Sequence, residues 1–189
     1  MAGYTVIADI SNKIVNLLRE NMTPEPIEKA EKIGIYPPYE KGDFSLGIHL
    51  YNIEENGEYR PVNMMNIGTN RQKYPPLSLT LYYMITAYSK AEVQSRALDE
   101  QKMIGRVMQV LYDNPIIDLG GTNISPEGTN EPVRISLNPL EYEMKLKTWN
   151  APDKAYHLSA FYRVSPIFIE SNRMKTIKRV SDLDIKIRG

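Results

Sequence analysis

The side chains able to do chemistry are few and scattered. The chain has two histidines, His49 and His157, and no cysteine. Both histidines fall in strand-like stretches, on faces opposite their aliphatic neighbours. A metal site needs such residues adjacent in space with a carboxylate beside them. A solvated or interface histidine is the simpler reading. Without cysteine there are no disulfides, thiolate metal sites or thiol nucleophiles, which suits a reducing compartment or indifference to redox state. Ser159 and Ser165 lack a Gly-x-Ser-x-Gly elbow. Gly120-Gly121 neither follows a strand nor opens a helix bearing Lys-Ser/Thr, so it reads as a turn rather than a phosphate loop. Asp99 and Glu100 are adjacent, diverge on a helix and read as a solvated face. Glu141 and Glu143 are the carboxylates left for general acid–base work. The expectation is a protein that is not an enzyme, with no catalytic residue, cofactor or metal.

Charge narrows the partners. Lys plus Arg and Asp plus Glu number 23 each, so the chain has no net positive charge to hold DNA or RNA. No apolar run approaches the ~20 residues of a membrane span. Met1-Ala2-Gly3-Tyr4-Thr5-Val6-Ile7 has no basic region and reads as no signal peptide. The sequons at Asn21 and Asn123 carry meaning only with secretion.

The elements must position whatever surface does the work. Residues 77–88 are the strongest signal, a strand with two-residue alternation. Leu77, Leu79, Leu81, Tyr83, Ile85 and Ala87 form an aliphatic face suited to a core. Ser78, Thr80, Tyr82, Met84, Thr86 and Tyr88 form a face of hydroxyls and aromatics suited to water or a partner. Tyrosine combines apolar area with a hydroxyl, so Tyr82, Met84 and Tyr88 are candidate interface residues.

A first helix carries Ile7, Ile10, Ile14, Leu17 and Leu18 and stops near Asn21, before Pro24 and Pro26. A proline-spaced connector follows, with a short helix around Lys29–Lys32. Further strands are expected at 44–53, 132–137 and 156–170, with an irregular one through Val62, Met64 and Ile67. Asn56-Gly57 predicts a tight hairpin. Ser89 and Glu92 spell a capping box for a second helix, which runs through Val93, Ala97, Ile104, Val107, Met108 and Leu111 to Asp113-Asn114-Pro115. Gly105 inside it predicts a close neighbour. Residues 115–131 read as a long exposed loop. Asn138-Pro139 opens a third helix carrying Leu140, Met144, Leu146 and Trp149. Pro166 marks a bend or an edge. The fold class is α+β: a mostly antiparallel sheet with amphipathic helices packed on one face. The expected division is a domain over 1–170 and an arm over 171–189.

Several stretches taken in order carry a family resemblance. They are Thr5-Val6-Ile7-Ala8-Asp9-Ile10-Ser11, Leu50-Tyr51-Asn52-Ile53, the Tyr74-Pro75-Pro76 strand, and Asp99 to Leu111 with its Gly105-Arg106 pair. Trp149 and Leu158-Ser159-Ala160-Phe161-Tyr162-Arg163-Val164-Ser165-Pro166 complete the set. The chain resembles, from about residue 4 to 170, the N-terminal domain of the cap proteins of extracellular contractile injection systems, such as the antifeeding prophage and the Photorhabdus virulence cassette. The resemblance implies a tail terminator: a homo-hexameric ring on the inner tube and outer sheath that ends polymerisation and ties sheath to tube. It implies assembly in the bacterial cytoplasm and then residence in the particle. No catalytic residue is carried over.

Two other readings compete. One is a baseplate or tail-completion adaptor of the same machine; the other is a small-molecule enzyme with an unrecognised site. In the arm, Leu183, Ile185 and Ile187 alternate with Asp182, Asp184 and Lys186. Exposed, such a segment is an unpaired edge. It is expected either to fold back on its own domain or to pair with a neighbouring subunit or the sheath.

Overall fold

A computed structural model of the chain describes residues 2–38, 40, 42–59, 64–67, 70–149 and 155–176. The elements open with α1 (Val6–Met22), a 3-10 turn (Ala30–Lys32), β1 (Ile33–Ile35), β2 (Leu46–Glu55) and a second 3-10 turn (Gly57–Tyr59). β3 (Met65–Ile67), β4 (Arg71–Lys73), β5 (Leu77–Ala87), α2 (Val93–Asp113) and β6 (Ile116–Ile117) follow. β7 (Val133–Leu137), α3 (Tyr142–Trp149), β8 (Ser159–Ile169) and β9 (Met174–Thr176) end the described chain. The fold is α+β.

The main sheet has six strands in the order β1-β2-β5-β8-β7-β6. β1 and β2 run parallel; every other pairing in it is antiparallel. The long alternating strand β5 sits in the middle, flanked by β2 and β8, because both its faces have something to bury. A bulge interrupts the β5–β8 ladder: Leu79 pairs Ile167 and Leu81 pairs Val164, so Ser165 and Pro166 together face Thr80. Proline has no N–H for the ladder, and a bulge is where an interior strand accommodates it. The strand bends there as expected, but it is not an edge.

Leu81, Tyr83, Ile85 and Ala87 pack with Ala160, Tyr162 and Val164 against α1 and α2. The α1 stripe is Val6, Ile10, Ile14, Leu18 and Met22, and the α2 stripe is Met103, Ile104, Val107, Val110 and Leu111. These recur at three- and four-residue steps, the spacing that puts one helix face on a sheet. Two arginines lock the layer. Arg19 donates to the Ile33 carbonyl at 3.0 and 2.7 Å, and Arg106 donates to the Asn21 carbonyl at 3.1 and 3.0 Å. The second pair satisfies a carbonyl at the end of α1, where cations also complement the helix dipole.

A smaller sheet, β3-β4-β9, joins the hairpin β3–β4 to the segment after β8. Lys73 pairs with Glu170, and Arg173 lies 4.3 Å over the Tyr74 ring.

Several expectations fail for stated reasons. Asn56-Gly57 makes no hairpin: the Asn56 amide donates to the Ser78 carbonyl at 2.9 Å and its side chain accepts from the Glu58 amide at 3.0 Å. The capping box does not form either. α2 starts at Val93 with no side-chain cap, because Ser89 instead accepts from the Ala91 amide at 3.1 Å and donates to Asp99 at 3.3 Å. α3 begins at Tyr142 rather than at Pro139, and His157 precedes β8 rather than lying in it. Gly105 meets no close neighbour: a Cβ there would find nothing within 4 Å. The 115–131 segment is not simply exposed. It contains β6, and Asn123 and Ser125 are buried. Leu77 and Leu137 end exposed at their strand tips, and Val62 and the arm residues Leu183, Ile185 and Ile187 lie outside the described residues.

Candidate assembly surfaces

The second face of the sheet is lined by rings. Gly34 and Gly47 lie side by side in register, and a Cβ on Gly47 would sit 2.6 Å from the Tyr36 ring. This flat patch lets Tyr36 stack on Phe44 with centroids 4.0 Å apart. From Tyr36 the row continues to Tyr88 at 6.0 Å, His157 at 4.8 Å, Trp149 at 5.8 Å and Tyr156 at 5.5 Å. Tyr51 joins Tyr82 at 6.1 Å and Phe161 at 5.8 Å. These separations are those of offset and edge-on aromatic pairs. Met84, Trp149 and Phe161 form a satellite core under this row, so Trp149, the one buried residue of α3, reaches the face that the other two helices leave open. α1 and α2 pack on one face, and the other carries this small satellite cluster.

That arrangement redistributes the candidate interface. Met84 is fully buried within its own chain and offers no surface. Tyr82 is half-buried, and its hydroxyl donates to Glu54 at 2.8 Å. Tyr88 is half-buried, and burial pushes its hydroxyl up to about 12. Burial does the same to Tyr83, pushed up to about 12 against the opposing effect of a hydrogen bond with Ser11. Ser78, Thr80 and Thr86 are also buried, although hydroxyl residues alternating on a strand read as a wet face.

The polar groups serve packing too. Glu100, expected in solvent, is buried; it accepts from the Ser89 amide and meets His157 Nδ1 at 3.2 Å. One carboxylate thereby ties the start of α2 to the segment before β8. Asn123 is the group that sequence reasoning missed. Its Nδ2 donates to the Glu131 and Pro166 carbonyls at 2.9 and 3.0 Å, and its Oδ1 accepts from the Phe168 amide at 3.0 Å. It pins the loop onto the β8 bulge. No local signal marked it, since Asn123 and Pro166 lie 43 residues apart and only the fold brings the two together.

A cleft of about 720 Å³ opens between α2 and the connector, lined in part by Lys32, Lys90, Lys102, Arg106 and Asp99. It is open to solvent, and several of its charges are engaged: Lys90 pairs with Asp43, Lys102 lies 4.0 Å from Asp99, and Arg106 holds the Asn21 carbonyl. Glu141 and Glu143 are exposed on or beside α3, and Glu143 pairs with Lys147 at 2.8 Å. Among the described residues no group of three or more His, Asp or Glu is placed to hold a metal ion. No described helix is long and apolar enough to cross a membrane.

Some apolar residues are exposed at the margins of the fold. Residues 92–98, the start of α2, are exposed without interruption. In α3 only Trp149 is buried, while Tyr142, Met144 and Leu146 stand out. Tyr112 and Ile116 are exposed where α2 hands over to β6. A short helix anchored by one residue gains little stability alone.

The described residues form an α+β domain whose sheet buries side chains on both faces and leaves some apolar residues exposed at its edges. The chain belongs to the Pvc16 N-terminal domain family, matched over residues 9–182. Its fold is shared with the sheath/tube terminator of PVC, an extracellular contractile injection system, in the extended state: TM-score 0.66, 16% identity, covering 100% of this chain and 65% of that one. It is shared equally with the anti-feeding prophage cap, a tube-terminating cap: TM-score 0.65, 18% identity, covering 95% of this chain and 61% of that one. The chain thus spans less than two thirds of the length of either. No curated protein matches it.

Proposed function

We propose that this chain is a structural tail terminator of a phage-tail-like contractile injection system. It forms a ring, taken as a homo-hexamer, at the distal end of the tube and sheath, where it ends polymerisation and links the two. The observation that carries this reading is one fold, shared over nearly the whole chain with two terminators, in a chain that belongs to the Pvc16 N-terminal domain family. The domain is non-catalytic on this reading, and its partners are itself, the tube protein and the sheath protein. Assembly takes place in the bacterial cytoplasm, and the protein then travels with the particle.

The contact residues assigned to this role are Tyr82, Tyr88 and the arm over 171–189 with Leu183, Ile185 and Ile187. The arm's first strand, β9, pairs with β4 of its own chain. Deletion of the gene is the direct test. Electron microscopy of particles from a deletion strain is expected to show tubes of uncontrolled length or sheath detached from tube. Normal-length, stable particles would overturn the proposal.

A further inference from the structure

Two unexplained features lie at opposite ends of α2. At its start, seven consecutive residues from Glu92 to Leu98 are exposed, with Val93 at 81% and Leu98 at 59%. A helix packed along its length buries a residue every third or fourth position. The first two turns of α2 therefore stand clear of the body. At its far end, a slot of about 160 Å³ opens between α1, α2 and β6. Leu17, Leu111, Ile116 and Ile117 line it, and Lys13 and Asp118 sit on its rim. That volume is well below the roughly 300–1,000 Å³ of small-molecule sites. It suits an aliphatic side chain, and the exposed Met108, Tyr112 and Ile116 extend its apolar surroundings.

The geometry points to a second copy of this chain as the occupant: the projecting turns of α2 in one copy dock in the slot of the next. Val93 and Ala97, one turn apart on the same helix side, supply the aliphatic contact. Charge matches on both signs, since Glu92 and Arg96 flank that side while Lys13 and Asp118 rim the slot. The 1.5 Å rise per residue puts the two surfaces roughly 25 Å apart. One copy therefore cannot satisfy its own slot. The contact joins two different surfaces: repeated head to tail with the right rotation it closes a ring, whereas an antiparallel twofold pairing of α2 would close it within a dimer. It rests on the terminator reading only in giving that ring its subunit interface.

The absence of native cysteine makes the test clean. The purified full chain with Val93→Cys and Ile116→Cys together is oxidised at high micromolar concentration and run on a non-reducing gel. A ladder of cross-linked multimers is expected, while each single variant stays monomeric and an equal mixture of the two stops at dimers. An internal disulfide is ruled out by the separation, since bridged Cα atoms lie within about 7 Å. Adding Arg96→Glu, at an exposed position that leaves the fold intact, is expected to slow cross-linking at least about tenfold by placing like charges together. A double variant that stays monomeric overturns the contact, as does dimerisation of Val93→Cys alone, and one that stops at dimers overturns the head-to-tail ring. Capped particles alongside a monomeric double variant overturn only this contact; a ladder alongside uncapped, normal particles overturns only the terminator role.

Discussion

Tyr83 ties the central strand to the first helix. Its ring is fully buried, and its hydroxyl shares a 2.8 Å hydrogen bond with Ser11 Oγ, which also reaches the Ile7 carbonyl. Tyr83→Phe removes that bond while Ser11 keeps its second partner. The expected loss is about 1 kcal/mol in urea unfolding, the net worth of a typical internal hydrogen bond. His49 gives the pH dependence. Burial holds its imidazole below the usual 6.5. Below that value the unfolded chain binds more protons than the folded one, so this residue costs stability as pH falls from 6.5 through its lowered value. Above 6.5 it contributes nothing. Melting curves between pH 7.5 and 5 are expected to show a shallower decline for His49→Gln than for the unaltered chain.

At the scale of elements, α2 and α3 differ in how they are held. α2 carries an interior glycine that faces no neighbour. Gly105→Ala is expected to raise stability by about 0.8–1 kcal/mol, because alanine has less backbone freedom to lose and keeps the helix. The measurement is a denaturant midpoint shifted upward with an unchanged slope. α3 hangs on Trp149, which is buried against Met84 and Phe161. Trp149→Ala is expected to cost about 3 kcal/mol, as removal of a large aromatic does. Because the cost falls on one satellite cluster, it should appear first as local opening. Trypsin cleavage at Lys145 and Lys147 is expected to quicken before the global melt moves. The α1 and α2 stripes and the sheet strands were legible as periodicity. The capping box and the Asn56-Gly57 hairpin were not, because the Ser89 and Asn56 side chains accept from amides two residues on, while Asp99 and the Ser78 carbonyl take the Ser89 hydroxyl and the Asn56 amide.

For the molecule as a whole, the Asn123 side chain ties the loop after β6 to the β8 bulge. Asn123→Ala leaves the Phe168 amide and two carbonyls without their partner. An unsatisfied buried group costs about 1–3 kcal/mol. Calorimetry is therefore expected to show a clearly lowered Tm, with hydrogen exchange quickened at Phe168. The arm sets the corresponding question for assembly. If it folds back, deleting residues 181–189 lowers the melting temperature of the isolated chain, since each buried aliphatic side chain is worth roughly 1.5–3 kcal/mol. If it serves a neighbour, the chain melts unchanged and caps fail to form. Equal stability with intact capping discards both.

The sequence by itself determined the strand at 77–88, the two amphipathic helices, the antiparallel sheet and the α+β class. Those features follow from local periodicity and the need to bury one apolar stripe or face. Its aligned motifs also pointed to the cap family. The tertiary structure decided which second face is covered and by what. Alternation separates two faces but does not say that Trp149 and Phe161 will roof one of them, so Met84 and the hydroxyl residues read as exposed when they are buried. It decided that Glu100 leaves the solvated face to meet His157, and that Asn123 clasps the bulge at Pro166. It also decided that the start of α2 stands free. Each of these depends on contacts between residues far apart in the chain, and burial is a property of that packing rather than of local pattern.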